Sequence, residues 1–102
     1  MKFNEEMKSV LCGAPYVSVI TLCDSGKPHA IIAGGKEISE DSIAIGIYKM
    51  EATQKNLKSD DRVWILASTI EGGAPKGYRF EGKASIKEGK LVFVPETAEA
   101  LI

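Results

Sequence analysis

Thr53-Gln54-Lys55-Asn56 is the stretch of this chain whose residue types and spacing could do chemistry. It stands where an isoleucine-rich strand pattern gives way to a helical one, so Thr53 is expected at or near a helix N-cap. The amides of a first helical turn have no intrahelical partner and face any anion. Residues three apart lie on one face of a helix, which would let the Thr53 hydroxyl and the Asn56 amide bind the same phosphate. Lys49, Lys55 and Lys58 against Glu51 give the stretch a local charge of about +2. The same residues also read as a plain N-cap with surface lysines, because T-x-x-N is a common spacing.

Other catalytic signals are absent. The chain has no G-x-G-x-x-G, P-loop, G-x-S-x-G or H-E-x-x-H. His29 is its only imidazole and has no recognisable serine or cysteine partner, so it reads as a strand-edge residue. The adjacent pairs Glu5-Glu6 and Asp60-Asp61 read as helix-end charge and solvated surface rather than a general acid and base. Cys12 and Cys23, with no CxxC and one histidine, are too few for a structural zinc site or a disulfide scaffold. They read as reduced core or near-core residues of a cytoplasmic protein.

The elements that must position these residues follow from pattern. The 102 residues, 44% hydrophobic and 26% charged with a formal net charge of −1, describe one globular domain over 1–102. A chain of this mass buries roughly 65% of its unfolded surface, enough for one core. Balanced charge argues against nucleic acid as a partner. No apolar run approaches the ~20 residues of a membrane span, and acids stand where a signal peptide would be apolar. Asn4 caps a short helix with Met7, Val10 and Leu11 on one stripe and Phe3 stapling it, stopped by Gly13 and Pro15.

Period two then takes over. Tyr16 to Cys23 and His29 to Ala33 form a hairpin about Asp24-Ser25-Gly26-Lys27-Pro28. Ser42 to Tyr48 places Ile43, Ile45 and Ile47 on the core face and the small Ala44 and Gly46 on the other. A short helix is expected over Glu51 to Asp61. Arg62 to Ser68 is apolar on both faces around Trp64, so its second side needs cover, most simply a partner subunit. Glu71 to Gly77 reads as a flexible loop, Tyr78 to Ile86 as an alternating strand, Lys87-Glu88-Gly89-Lys90 as a turn, and Leu91 to Val94 as a strand ended by Pro95. The tail from Glu96 reads as a helical turn. Six strands in hairpin succession predict a mainly β, antiparallel, closed or nearly closed barrel with short flanking helices.

The order of features resembles the FMN-binding split-barrel family, that of small bacterial FMN-binding proteins and pyridoxamine phosphate oxidase-like proteins. The resemblance is carried by a helix, a hairpin containing Gly26-Lys27-Pro28-His29, the isoleucine strand, Thr53-x-x-Asn56-Leu57, Asp61-Arg62-Val63, and Gly77-Tyr78-Arg79-Phe80-Glu81-Gly82-Lys83-Ala84. It implies a homodimer of six-stranded Greek-key split barrels with FMN near the subunit interface. It further implies a phosphate site at Thr53 and Asn56, with Gln54 between them and Lys49 as a source of positive charge. Ile32, Ala33 and Gly34 would line the flavin ring. Family members often carry a lysine or arginine before the threonine, where this chain has Ala52. The C-terminal substrate-binding extension of the pyridoxamine phosphate oxidases is missing.

A small barrel fills its interior with side chains, so a flavin must sit outside it and be buried by a second surface. The function that the resemblance implies is an FMN-dependent oxidoreductase or electron carrier, with no catalytic side chain required. Two alternatives stand beside it. One is a split-barrel binding module that has lost flavin; the other is the same barrel with a deazaflavin or haem.

Overall fold

The computed structural model describes residues 1–102. In chain order the elements are α1 (Glu5–Gly13), β1 (Val17–Leu22), β2 (Pro28–Ala33), β3 (Lys36–Ile38), β4 (Ile43–Gly46), α2 (Glu51–Ser59), β5 (Arg62–Glu71), β6 (Ala74–Lys87) and β7 (Lys90–Ala100). The strands form one antiparallel sheet in the order β2-β1-β5-β6-β7-β4-β3. The two outermost strands, β2 and β3, are joined only by Gly34-Gly35. Three peptide units reach at most about 11 Å, so the sheet must curl until its edges approach. The result is a half-barrel.

Alternation along each strand fills its interior. Val17, Val19, Ile43, Ile45, Val63, Ile65, Phe80 and Phe93 are all buried on the concave side. Each large side chain so placed stabilises the fold by about 1.5–3 kcal/mol relative to exposure. The helices close the two ends. At one end the Asn4 side chain accepts from the Met7 amide at 2.8 Å and caps α1. This helix buries Val10 and Leu11, while Phe3 meets Phe80 edge-on with centroids 5.3 Å apart. Tyr78 donates to Glu6, tying α1 to β6. At the other end α2 buries Thr53 and Asn56.

Several boundaries differ from expectation. There are seven strands rather than six, because Lys36–Ile38 pairs with β4 through Lys36↔Ile45 and Ile38↔Ile43. Only one of those three residues is apolar, which leaves no alternation to read. Glu71 to Gly77 is not a loop: β5 and β6 continue to a two-residue turn at Gly72-Gly73, whose φ of 56° and 83° suit glycine. Pro95 does not end the last strand, and the tail is strand to Ala100 rather than helix. A bulge accommodates the proline, since Glu81 faces Thr97 while Gly82 faces Pro95, leaving Glu96 unpaired. A side chain at Gly82 would place Cβ 2.1 Å from the Val94 carbonyl oxygen, so only glycine fits there. Cys12 is exposed on α1 rather than in the core, and both cysteines are free thiols. No helix is long and apolar enough to cross a membrane.

Candidate functional site

The residues singled out from sequence fall into two groups along β1. The first lies at the start of α2. Met50, not Thr53, is the N-cap, with φ 43° and ψ 38° in the left-handed region and no side-chain cap. Lys49 precedes it at φ 67°, making two successive non-glycine residues in a disfavoured conformation, a place where backbone strain is held. Gln54 returns to this turn twice. Its amide donates to the Met50 carbonyl at 2.9 Å, and its Nε2 donates to the Lys49 carbonyl at 3.0 Å. The first-turn amides before Gln54 therefore remain free for an anion.

Thr53 is the third helical residue and points inward. It is 1% exposed, and its hydroxyl is a buried polar atom with no hydrogen-bond partner. Such a group normally finds one, because desolvating it unpaired costs about 1–3 kcal/mol. Asn56, one turn on, is also buried, but its Nδ2 donates to the Thr21 hydroxyl at 3.0 Å. The amide nitrogen thus anchors α2 to β1, while the threonine hydroxyl on the same face is left over. Lys49 is exposed, its ammonium 5.6 Å from the ring centroid of Tyr48. Beside this turn a depression of about 360 Å³ is lined by Asp24, Ser25, Ala52, Lys55 and Asn56, together with Cys23.

The second group lies at the end of β2. Ala33 pairs with Val17 and is buried, whereas Ile32 pairs with Ser18 on the convex face and is 67% exposed. Gly34 backs the ring of Tyr16, whose Cε1 stands 3.2 Å from the position of a Cβ built there. Val17 opposite Ala33 and Thr21 opposite α2 are four residues apart on β1. At about 3.3 Å per residue the two groups are separated by roughly 13 Å. A ligand touching both needs two chemically different ends joined by a linker.

Trp64 faces outward with Leu66, as the doubly apolar pattern of β5 requires. A convex-face groove of about 400 Å³ is lined by Ile20, Leu22, Pro28, Trp64, Leu66, Arg79 and Glu81. A second groove of about 290 Å³ adjoins it at Leu66 and is bounded by Tyr16 and Ile102. Sequence reading missed both walls of this second groove, because only the sheet register brings the two ends of the chain together. Tyr48, by contrast, is 79% exposed, and Tyr78 belongs to the core.

The fold has known counterparts. HupZ of Group A Streptococcus superposes with a TM-score of 0.80 at 15% identity, covering 97% of this chain and 94% of that one. HutZ, the heme storage protein of Vibrio cholerae, gives 0.72 at 15% identity over 98% and 95% of the two chains. An FMN-binding protein of Syntrophomonas wolfei subsp. wolfei gives 0.74 at 14% identity over 91% and 81%. No family model and no curated protein sequence matches the chain. The structural neighbours are split-barrel proteins of the pyridoxamine phosphate oxidase-like kind, and the mainly β, antiparallel architecture expected from the order of sequence features is observed, as a seven-stranded half-barrel rather than a six-stranded, nearly closed one.

Proposed function

We propose that this chain is an FMN-binding flavoprotein acting in oxidation–reduction or electron transfer. The observation that carries the reading is the orphaned Thr53 hydroxyl, buried in the first turn of a helix that no side chain caps. A phosphate at that turn would be met by free amides and the positive end of the helix dipole, and the Thr53 hydroxyl lies in the same first turn without a protein partner. Lys49 and Lys55 replace in part the charge that Ala52 does not supply. An FMN-binding protein among the structural neighbours supports the same reading.

When bound, FMN supplies hydride or single-electron transfer at its ring. The chain's own residues then have three tasks: the α2 turn binds the phosphate, the end of β2 with Ile32 and Gly34 orients the ring, and the apolar convex face excludes water. A second copy of the chain covers that face in this reading, since a sheet surface carrying Ile20, Trp64 and Leu66 is left half-buried by one copy alone. Titration of the purified full chain with FMN, followed by flavin fluorescence, tests the proposal. Binding at micromolar concentration that Thr53→Val weakens is expected; absence of binding overturns it.

Haem is the second reading, favoured by HutZ among the neighbours. The single histidine, His29 on β2, pairs with buried Thr21 on β1 and so faces the concave side, away from both convex grooves.

A further inference from the structure

We infer that Gln54 is a positioning residue: through the Lys49 carbonyl it holds a strained turn in the shape that keeps the first-turn amides of α2 free for a phosphate. The inference rests on the flavin reading above. It names a residue that sets phosphate affinity without touching the phosphate.

The two helices of this chain start in different ways. At α1 the Asn4 side chain accepts from the Met7 amide at 2.8 Å, an ordinary cap that occupies one first-turn donor. At α2 the cap position is Met50, and no side chain accepts from the turn. Support comes instead from bonds of the opposite polarity. Gln54 Nε2 donates to the Lys49 carbonyl at 3.0 Å, and the Gln54 amide donates to the Met50 carbonyl at 2.9 Å. Both acceptors precede the helix, so neither bond occupies an amide of Glu51, Ala52 or Thr53. A helix start braced in this way keeps its orphan donors, which suits an anion better than it suits stability. The Thr53 hydroxyl, buried in the same turn without a partner, is an independent sign that a ligand belongs there.

The brace is needed because the turn is strained. Seven residues have positive φ, and four of them are the glycines Gly26, Gly72, Gly73 and Gly89. Of the other three, Lys49 and Met50 are adjacent, at 67° and 43°. A Cβ disfavours that region, and the β5–β6 turn meets the same demand with two glycines. A left-handed residue followed by a helical one turns successive N–H groups toward one point, a concavity that takes anions. Relaxation of Met50 to a common conformation would dissolve that concavity. Gln54 is the one side chain bonded to the carbonyls of this turn. With Ala52 supplying no cation beside Thr53, the main chain carries more of the recognition, and its shape matters more.

Titration of the full chain and of Gln54→Met with FMN and with riboflavin, which has the same ring and no phosphate, tests the clamp. Hydrogen exchange at the backbone amide of residue 54 is followed in the ligand-free proteins. Methionine resembles glutamine in length and helix propensity, so the variant should fold. The expected result is FMN affinity about fivefold lower with riboflavin affinity unchanged. Exchange at the residue 54 amide should be faster, because its bond to the Met50 carbonyl opens with the turn. FMN affinity unchanged in the variant overturns the clamp and leaves the flavin reading standing. Lower FMN affinity with unchanged exchange also overturns it, since Gln54 would then be a direct contact. Equal losses for both flavins overturn it by showing a general loosening. A parent chain that binds neither flavin overturns the flavin reading itself, and the clamp falls with it.

Discussion

Asn56 and Thr21 share a buried hydrogen bond of 3.0 Å, amide to hydroxyl, and it seats α2 on β1. Both side chains are buried, and each is the other's only side-chain partner. The bond makes the helix a fixed platform at one end of the half-barrel. Whatever binds at its first turn meets a positioned group rather than a mobile one.

Removing either partner leaves the other buried and unpaired. Asn56→Ala should therefore cost about 1–3 kcal/mol in urea unfolding. Thr21→Val combined with Asn56→Leu removes both polar ends and should cost less than the sum of the single changes. Additive losses across such a cycle would show that the bond does not couple the two elements.

Glycine at position 82 is required by the sheet. Gly82→Ala forces Cβ into the Val94 carbonyl and should destabilise by about 2 kcal/mol or more. Gly35→Ala is the control, with nothing within 4 Å of the new methyl group and an ordinary backbone. Its melting temperature should match the parent's, within the ~0.5 kcal/mol typical of surface changes.

Acid stability should carry a signature from Asp60. The Arg62 side chain, then the Arg62 amide, hold its carboxyl down from 3.8 to about 2 by hydrogen bonding. A carboxyl depressed on folding contributes stability above its unfolded value, and the contribution is lost as pH falls toward the folded value. Stability of the parent should thus decline between pH 3.8 and about 2 more steeply than that of Asp60→Asn. The pair is partly exposed, so added salt should shrink the difference. Thermal melts across that range measure it.

The convex face predicts association. Trp64 and Leu66 are half-buried in one copy, and charging that surface with Leu66→Lys should shift a dimer toward monomer in sedimentation. A parent chain that sediments as a monomer at all concentrations would leave the face without its proposed cover.

Much of the fold was legible because it rests on period two. Ile43 with Ile45, and Tyr78 with Phe80 and Ala84, announce a buried face without help from the rest of the chain. What was not legible depends on partners distant in sequence. Lys36–Ile38 is a strand only because β4 lies beside it. Pro95 carries a local stop signal that the bulge opposite Gly82 overrides. Thr53 has the side chain of a cap, yet packing turned it inward and gave the cap to Met50, a residue with no cap chemistry. The Tyr16–Ile102 groove joins the two ends of the chain, and no local spacing reports it.

Thr53 offers the sharpest separation of stability from function. Its hydroxyl is buried and unpaired, so Thr53→Val replaces it with a methyl group of similar volume and removes a desolvation cost. A residue kept only for packing would be improved by that change, and the ligand-free chain should gain about 1 kcal/mol in urea unfolding. The same change removes the unpaired Thr53 hydroxyl from the α2 turn, and FMN affinity should fall about tenfold. Gain and loss together are the pattern of a residue held against the stability of the fold by what it binds. Thr53→Ser, which keeps the hydroxyl, should restore most of the affinity while losing stability to a small cavity. A valine variant that is less stable than the parent would mean the hydroxyl already has a protein or water partner, and the phosphate site would lose its support.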